Sequence, residues 1–243
     1  MKRMTVSRLH LSGGPTFAAG HTRGPLTARS LDPDVVARAL AEALGAPDAE
    51  TVRMEQVHGR RTLIFEEPAR KGRSGVLGTG DAVLTRQPNV LLLVASADCV
   101  PIVLADPVTG WIGAVHAGWR GTAARVLHAA LDSLEAHGVR LTGLAAAFGP
   151  SIARDHYEVG PEVVAALRDA CGPPPEGAVV AGLGDRSFVD VAALNEGALR
   201  SRGVAPERIL REASCNAASS DLPSWRRDGP GTGRILTGVV RLV

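Results

Sequence analysis

Aromatic residues are scarce in this chain: four Phe, three Trp and one Tyr among 243 residues, or 3%. A core built without them relies on Val, Leu, Ile and Ala. Cysteine is scarce as well. Cys99, Cys171 and Cys215 are widely spaced and odd in number, which argues against a secreted disulfide framework and for a cytoplasmic protein. Polar Ser7, Arg8 and His10 follow the first six residues, so a secretory leader is not expected. The longest apolar runs, such as residues 90–95, are much too short to cross a bilayer. Charge of one sign is also missing: 27 basic against 25 acidic residues leave a net charge of +2. That excludes a general electrostatic case for nucleic acid, although a local arginine cluster can still take a phosphate. What is present, 45% apolar and 21% charged residues, is ordinary for a globular protein with a sizeable core.

Along the chain the patterns alternate irregularly between strand and helix. A short strand is expected at residues 6–11, and residues 13–30 read as loop, too polar and glycine-rich for a core element. Asp32-Pro33-Asp34 opens a helix that Gly45 closes. Strands are expected at 52–58, 61–65, 81–85, 90–96, 100–105 and 111–115, with a basic, glycine-rich segment at 70–80 as a separator. Residues 123–137 carry helical periodicity through Val126, Leu127, Ala130, Leu131 and Leu134. A buried strand at 141–148, a helix at 161–170, a strand at 188–191, a helix at 192–202 closed by Gly203, and strands at 209–214 and 235–243 complete the pattern. No repeat or low-complexity linker appears. The expectation is one α/β (α+β) domain over residues 1–243, a mixed sheet with packed helices and a loop-rich first thirty residues.

Chemistry concentrates at residues 97–122, ADCVPIVLADPVTGWIGAVHAGWRGT. Cys99 and His116 each stand at the edge of an apolar run beside glycine or proline, where strands stop and sites are usually found. With His58 upstream they make a candidate metal set. Two imidazoles and a thiolate suit zinc, and three protein ligands leave a fourth position open, the pattern of a catalytic centre. The separations, 41 and 17 residues, match no finger motif and suit ligands on different strands. The plainer alternative is that Cys99 is a small buried hydrophobe and each histidine a core or surface residue. For an anion, Arg120, Arg226 and Arg227 are candidates, as are the backbone amides of 118–122. Asp98 is the nearest candidate acid or base, against a turn-capping role. Glu158 and Asp228 carry the same two readings.

QVHG at 56–59, DAVLT at 81–85, ADC at 97–99, VHAGWRGT at 115–122 and YEVG at 157–160 occur in that order. They are followed by Asp190, Asn195 and the RRDG–TGR string from Arg226 to Arg234. In these motifs the chain resembles the laccase-domain (multi-copper polyphenol oxidase-like) family that includes the bacterial YfiH proteins. The resemblance implies an α/β domain with a pocket metal on His58, Cys99 and His116. It implies phosphorolysis of adenosine, inosine, guanosine or methylthioadenosine to base and sugar 1-phosphate, with adenosine deamination beside it. Purine nucleoside and phosphate are then the partners, with no nucleic acid, membrane or protein partner evident. The chain departs from the family in its N-terminal loop, which holds no Asn before Asn89. It also has His156 where relatives often carry cysteine, and Ser214-Cys215-Asn216 where they show Cys-Thr.

A trinuclear copper oxidase would need on the order of ten histidines, and this chain has seven. Copper on His58, Cys99 and His116 stays open beside zinc, and with it a copper-dependent polyphenol oxidase. So does a cysteine amide hydrolase with Cys99 as nucleophile and His116 as base, fitted to editing peptidoglycan precursors. A nucleoside-binding module without turnover is the non-enzymatic reading.

Overall fold

The computed structural model describes residues 5–9, 17–27 and 30–242. The chain runs β1 (Thr5–Leu9), β2 (Phe17–Arg23), α1 (Pro33–Ala43), β3 (Glu50–Glu55), β4 (Thr62–Phe65), β5 (Ser74–Thr79) and β6 (Ala82–Thr85). It continues through β7 (Val90–Ser96), β8 (Val100–Ala105), β9 (Ile112–Ala117), α2 (Trp119–Ala123), α3 (Val126–Ala136), β10 (Ala145–Phe148), β11 (Glu158–Val159) and α4 (Pro161–Cys171). Last come β12 (Val179–Ala181), β13 (Ser187–Val189), α5 (Val191–Ser201), β14 (Ile209–Arg211), α6 (Trp225–Asp228) and β15 (Ile235–Arg241). This is the expected mixed α/β domain.

Two six-stranded mixed sheets, ordered β1-β2-β15-β7-β3-β5 and β14-β10-β8-β9-β6-β4, pack against each other, and β11-β13-β12 form a small third sheet. Side-chain alternation builds the layers. On β7, Val90, Leu92 and Val94 face the other sheet and meet Val83, Val103, Ile112 and Ala114. Leu91 and Leu93 face the opposite way, onto Leu40 and Leu44 in the α1 layer. On β8, Val103 and Ala105 point into the sandwich, while Val100, Ile102 and Leu104 join the cluster containing Leu127 and Leu131 of α3 and Leu194 of α5. The central strands are buried on both faces and so read as unbroken apolar runs.

Three expectations change. Phe17–Arg23, read as loop, is β2, paired with both β1 and β15. Its Gly20, His21 and Thr22 hide the strand pattern, yet His21 and Thr22 are fully buried. The separator at 70–80 contains β5, an edge strand parallel to β3. The helix at 123–137 is α3 alone, because Arg125 has φ +63° and breaks it from α2. Residues 10–16 and 243 of the expected terminal elements lie outside the described residues.

Candidate active site

The three reactive side chains come from both sheets. Cys99 immediately precedes β8 and His116 lies near the end of β9, where Pro101 pairs with His116 and Val100 with Ala117. His58 follows β3 of the other sheet. Their donor atoms all lie within 4.8 Å of one another, and the His58 and His116 rings meet edge to face at 4.9 Å between centroids. Among the described residues this is the one group of three or more His, Cys, Asp or Glu side chains placed to share an ion. Glycine makes the approach possible: a Cβ at Gly118 would sit 2.6 Å from Cys99 Sγ and 3.3 Å from His58 Cδ2.

Asp81, just before β6 and fully buried, organises the cluster. Its carboxylate accepts from the backbone N–H of Val57, His58 and Gly59 at 3.2, 2.9 and 2.7 Å. It also bonds His116 Nδ1 at 2.9 Å. Those amide bonds hold His58 at φ +60°, a left-handed conformation that costs a non-glycine residue about 1–2 kcal/mol. Burial alone would raise the Asp81 pKa, but His116 and the amides of Gly59 and His58 outweigh it and hold the carboxyl below its ordinary value. Burial also opposes a charged Cys99, yet hydrogen bonds and charge from His116 and His58 bring the thiol to about 6. Burial would lower His116, and Asp81 and Cys99 together raise it to about 9.

Above the cluster lies a cavity of about 710 Å³ lined by Gln56, Trp119, Arg120, Tyr157, Trp225, Arg226 and Arg234 among others. Three of the chain's eight aromatics are here. Each is paired with an arginine: Arg120 over Trp119 at 4.5 Å, Arg226 over Tyr157 at 5.0 Å and Arg234 over Trp225 at 5.9 Å. Burial, then the charge of Cys99, pushes the Tyr157 hydroxyl up to about 12. Gln56 completes the floor by exchanging two 2.8 Å hydrogen bonds with the backbone of Ala95.

Several expected site residues are engaged by the protein itself. Asp98 lines the cavity, but both its oxygens are engaged, by Ser224 Oγ at 2.7 Å and the Arg226 amide at 2.6 Å. Through these two bonds it holds the C-terminal loop. Arg227 points away, donating to the carbonyls of Asn216, Ser219 and Leu222 and to Asp228. All of its guanidinium nitrogens are thus engaged by protein acceptors. Asp228 is held in the same clamp, accepting from Ser224 N at 3.1 Å. The amides of 118–122 begin a five-residue helix only, too short for the dipole expected of it. His156 is exposed and outside the ion-sharing group. Asn195 braces α2 through Thr122 Oγ1 at 2.9 Å. Arg234 was within a quoted motif but unassigned; its neighbour Trp225 is what reveals its place.

The multi-copper polyphenol oxidoreductase laccase family model matches residues 33–242. The chain belongs to that family. It is similar to a purine nucleoside phosphorylase of Deinococcus radiodurans, 36% identical over 90% of this chain and 85% of the relative. It is also similar to the adenosine deaminase RL5 of an unknown prokaryotic organism, 33% identical over 83% of this chain and 79% of the relative. Among solved structures, YlmD from Geobacillus stearothermophilus has a TM-score of 0.87 at 27% identity, covering 100% of this chain and 98% of that one. The laccase-family name points to copper. Two imidazoles and a low-pKa thiol in contact fit a single thiophilic ion, zinc or cuprous copper, and seven histidines do not fit a trinuclear oxidase centre.

Proposed function

We propose that this chain is a zinc-dependent purine nucleoside phosphorylase that also deaminates adenosine. In this reading it acts as one domain over residues 1–243, in the cytoplasm. One observation carries it: a cavity of about 710 Å³ in which three arginines and three aromatics surround the His58–Cys99–His116 cluster. The volume falls in the ordinary range for a small-molecule site, about 300–1,000 Å³. Aromatic faces suit a purine ring, and guanidinium groups suit phosphate. The names of the two relatives point the same way. The nucleosides in view are adenosine, inosine, guanosine and methylthioadenosine.

In phosphorolysis a phosphate oxygen bonds to C1′ as the C1′–N9 bond breaks, and the purine leaves with a proton. Arg120, Arg226 and Arg234 would bind and orient the phosphate. Trp119 and Trp225 would hold the base, and Tyr157, protonated at neutral pH, can donate a hydrogen bond to it. His58, Cys99 and His116 would hold the zinc. When bound, zinc supplies Lewis-acid polarisation and acidifies water, the chemistry that deamination draws on.

The test is base release from adenosine and inosine with and without phosphate, together with elemental analysis. Phosphate-dependent release is expected, lost in His58→Ala, Cys99→Ala and His116→Ala. Release that survives in all three would remove the metal-centred mechanism. A second reading has its own observation: Cys99, His116 and Asp81 form a thiol–imidazole–carboxylate chain, the arrangement of a cysteine hydrolase. An acyl group trapped on Cys99 would establish that alternative.

A further inference from the structure

We infer that Asp81 is the positioning residue of the metal centre: it fixes which His116 nitrogen faces the ion and locks the His58 loop against the second sheet. The inference rests on the metal reading of the cluster and not on the nucleoside chemistry.

Three observations converge on it. Asp81 is fully buried, and its carboxylate spends its acceptor capacity on four donors. One of these is His116 Nδ1. A carboxylate accepts only, so Nδ1 keeps a proton in the neutral and the charged ring alike, and Nε2 is the nitrogen that sheds its proton to offer a metal its lone pair, with the carboxylate behind it strengthening the ligand. The other three are consecutive amides around His58, a residue whose chain lies in the opposite sheet. Asp81 itself precedes β6, which pairs with β9, the strand of His116. One side chain therefore sets two of the three ligands relative to each other across the seam between the sheets.

Asp81→Asn keeps the size and changes the pattern. In place of Oδ2 an amide NH₂ group cannot accept from the amides of Val57 and Gly59; in place of Oδ1 it cannot accept from the His58 amide and would bond His116 Nδ1 as a donor. That moves the ring proton to Nε2 and removes the ligand lone pair. The wild-type and Asp81→Asn proteins are to be titrated with zinc against a chromophoric chelator. In parallel, the ¹⁵N-resolved imidazole signals of zinc-loaded wild type are recorded. The expected result is a protected Nδ1–H signal for His116, and an affinity about 10–100-fold weaker in Asp81→Asn, with Asp81→Glu intermediate. Equal zinc affinity in wild type and Asp81→Asn would overturn the inference. So would a zinc-loaded wild type in which Nδ1 of His116 carries no proton, a readout that does not depend on any variant folding. Failure of wild type to bind zinc at all would instead overturn the metal reading beneath it. Loss of phosphorolysis with zinc binding intact would touch only the proposed nucleoside chemistry.

Discussion

At the scale of single residues, Gly118 shows how little room the cluster leaves. Its missing Cβ is the space in which Cys99 Sγ and His58 lie. Gly118→Ala is expected to separate those donors and cut zinc loading at least tenfold, on the scale of a displaced ligand shell, while the protein still folds. Elemental analysis after dialysis checks it, and full loading would show that the neighbours yield. The thiol and imidazole set a pH window. A thiol held below its ordinary 9.0 has its stabilising effect in full above 9.0 and loses it as pH falls through about 6. An imidazole raised from 6.5 has its effect in full below 6.5 and loses it as pH rises through about 9. The thiolate–imidazolium pair of the metal-free protein therefore spans about pH 6 to about pH 9. Iodoacetamide alkylation of chelator-treated protein is expected to rise with a midpoint near 6 and to stop when zinc is restored. A midpoint near 9 would mean that the histidines do not support the thiolate. His58, Cys99 and His116, which the fold brings together, were legible because reactive residue types stood at strand ends beside glycine or proline. Asp81 was not, because a buried acid before a strand has no pattern of its own until its four donors are seen.

Secondary elements carry their own lesson in the C-terminal loop, where adjacent arginines do different work. Arg226 turns over Tyr157 into the cavity and donates to the Glu158 carbonyl at 2.9 Å. Arg227, on the same short α6, is the peg of a clamp. Ser224 caps that helix by accepting from Arg227 N, and its hydroxyl donates a hydrogen bond to Asp98. Arg227→Met is expected to cost about 1–3 kcal/mol through carbonyls left without donors. That is about 2–4 °C in thermal midpoint per kcal/mol for a chain of this size. Arg120→Met should instead leave the midpoint nearly unchanged. Arg226→Met and Arg234→Met, which give up fewer carbonyl bonds, should lower it less than Arg227→Met. All three should raise the phosphate KM about 10- to 100-fold, the worth of a charge-assisted hydrogen bond. If Arg227→Met raised that KM with no loss of stability, the division would be wrong. The same scale explains which elements were legible. Residues 90–96 and 100–105 are buried on both faces and announce themselves as apolar runs. β2 and β5 carry glycine and polar residues in places that tertiary pairing, not local preference, turns into strand.

Across the whole molecule the site lies where the two sheets meet, and this couples binding to stability. His58 hangs from the sheet that α1 covers, while Cys99 and His116 belong to the sheet beneath α3, α4 and α5. The interface beside the site is apolar, through residues such as Leu92, Val94 and Val103, and needs no ion to assemble. An ion shared by the three ligands would nevertheless join the layers at their open end and bind only the folded arrangement. A ligand with that property stabilises by about 2.7 kcal/mol at a hundred times its dissociation constant. Converted at about 2–4 °C per kcal/mol, the expected rise in unfolding midpoint on adding zinc to chelator-treated protein is about 5–10 °C. The rise should be concentration-dependent and absent in Cys99→Ala. Calorimetric scans with zinc and with chelator measure it. A midpoint indifferent to zinc in the wild type would mean that the cluster holds no ion under those conditions. An equal rise in Cys99→Ala would place the ion elsewhere on the chain.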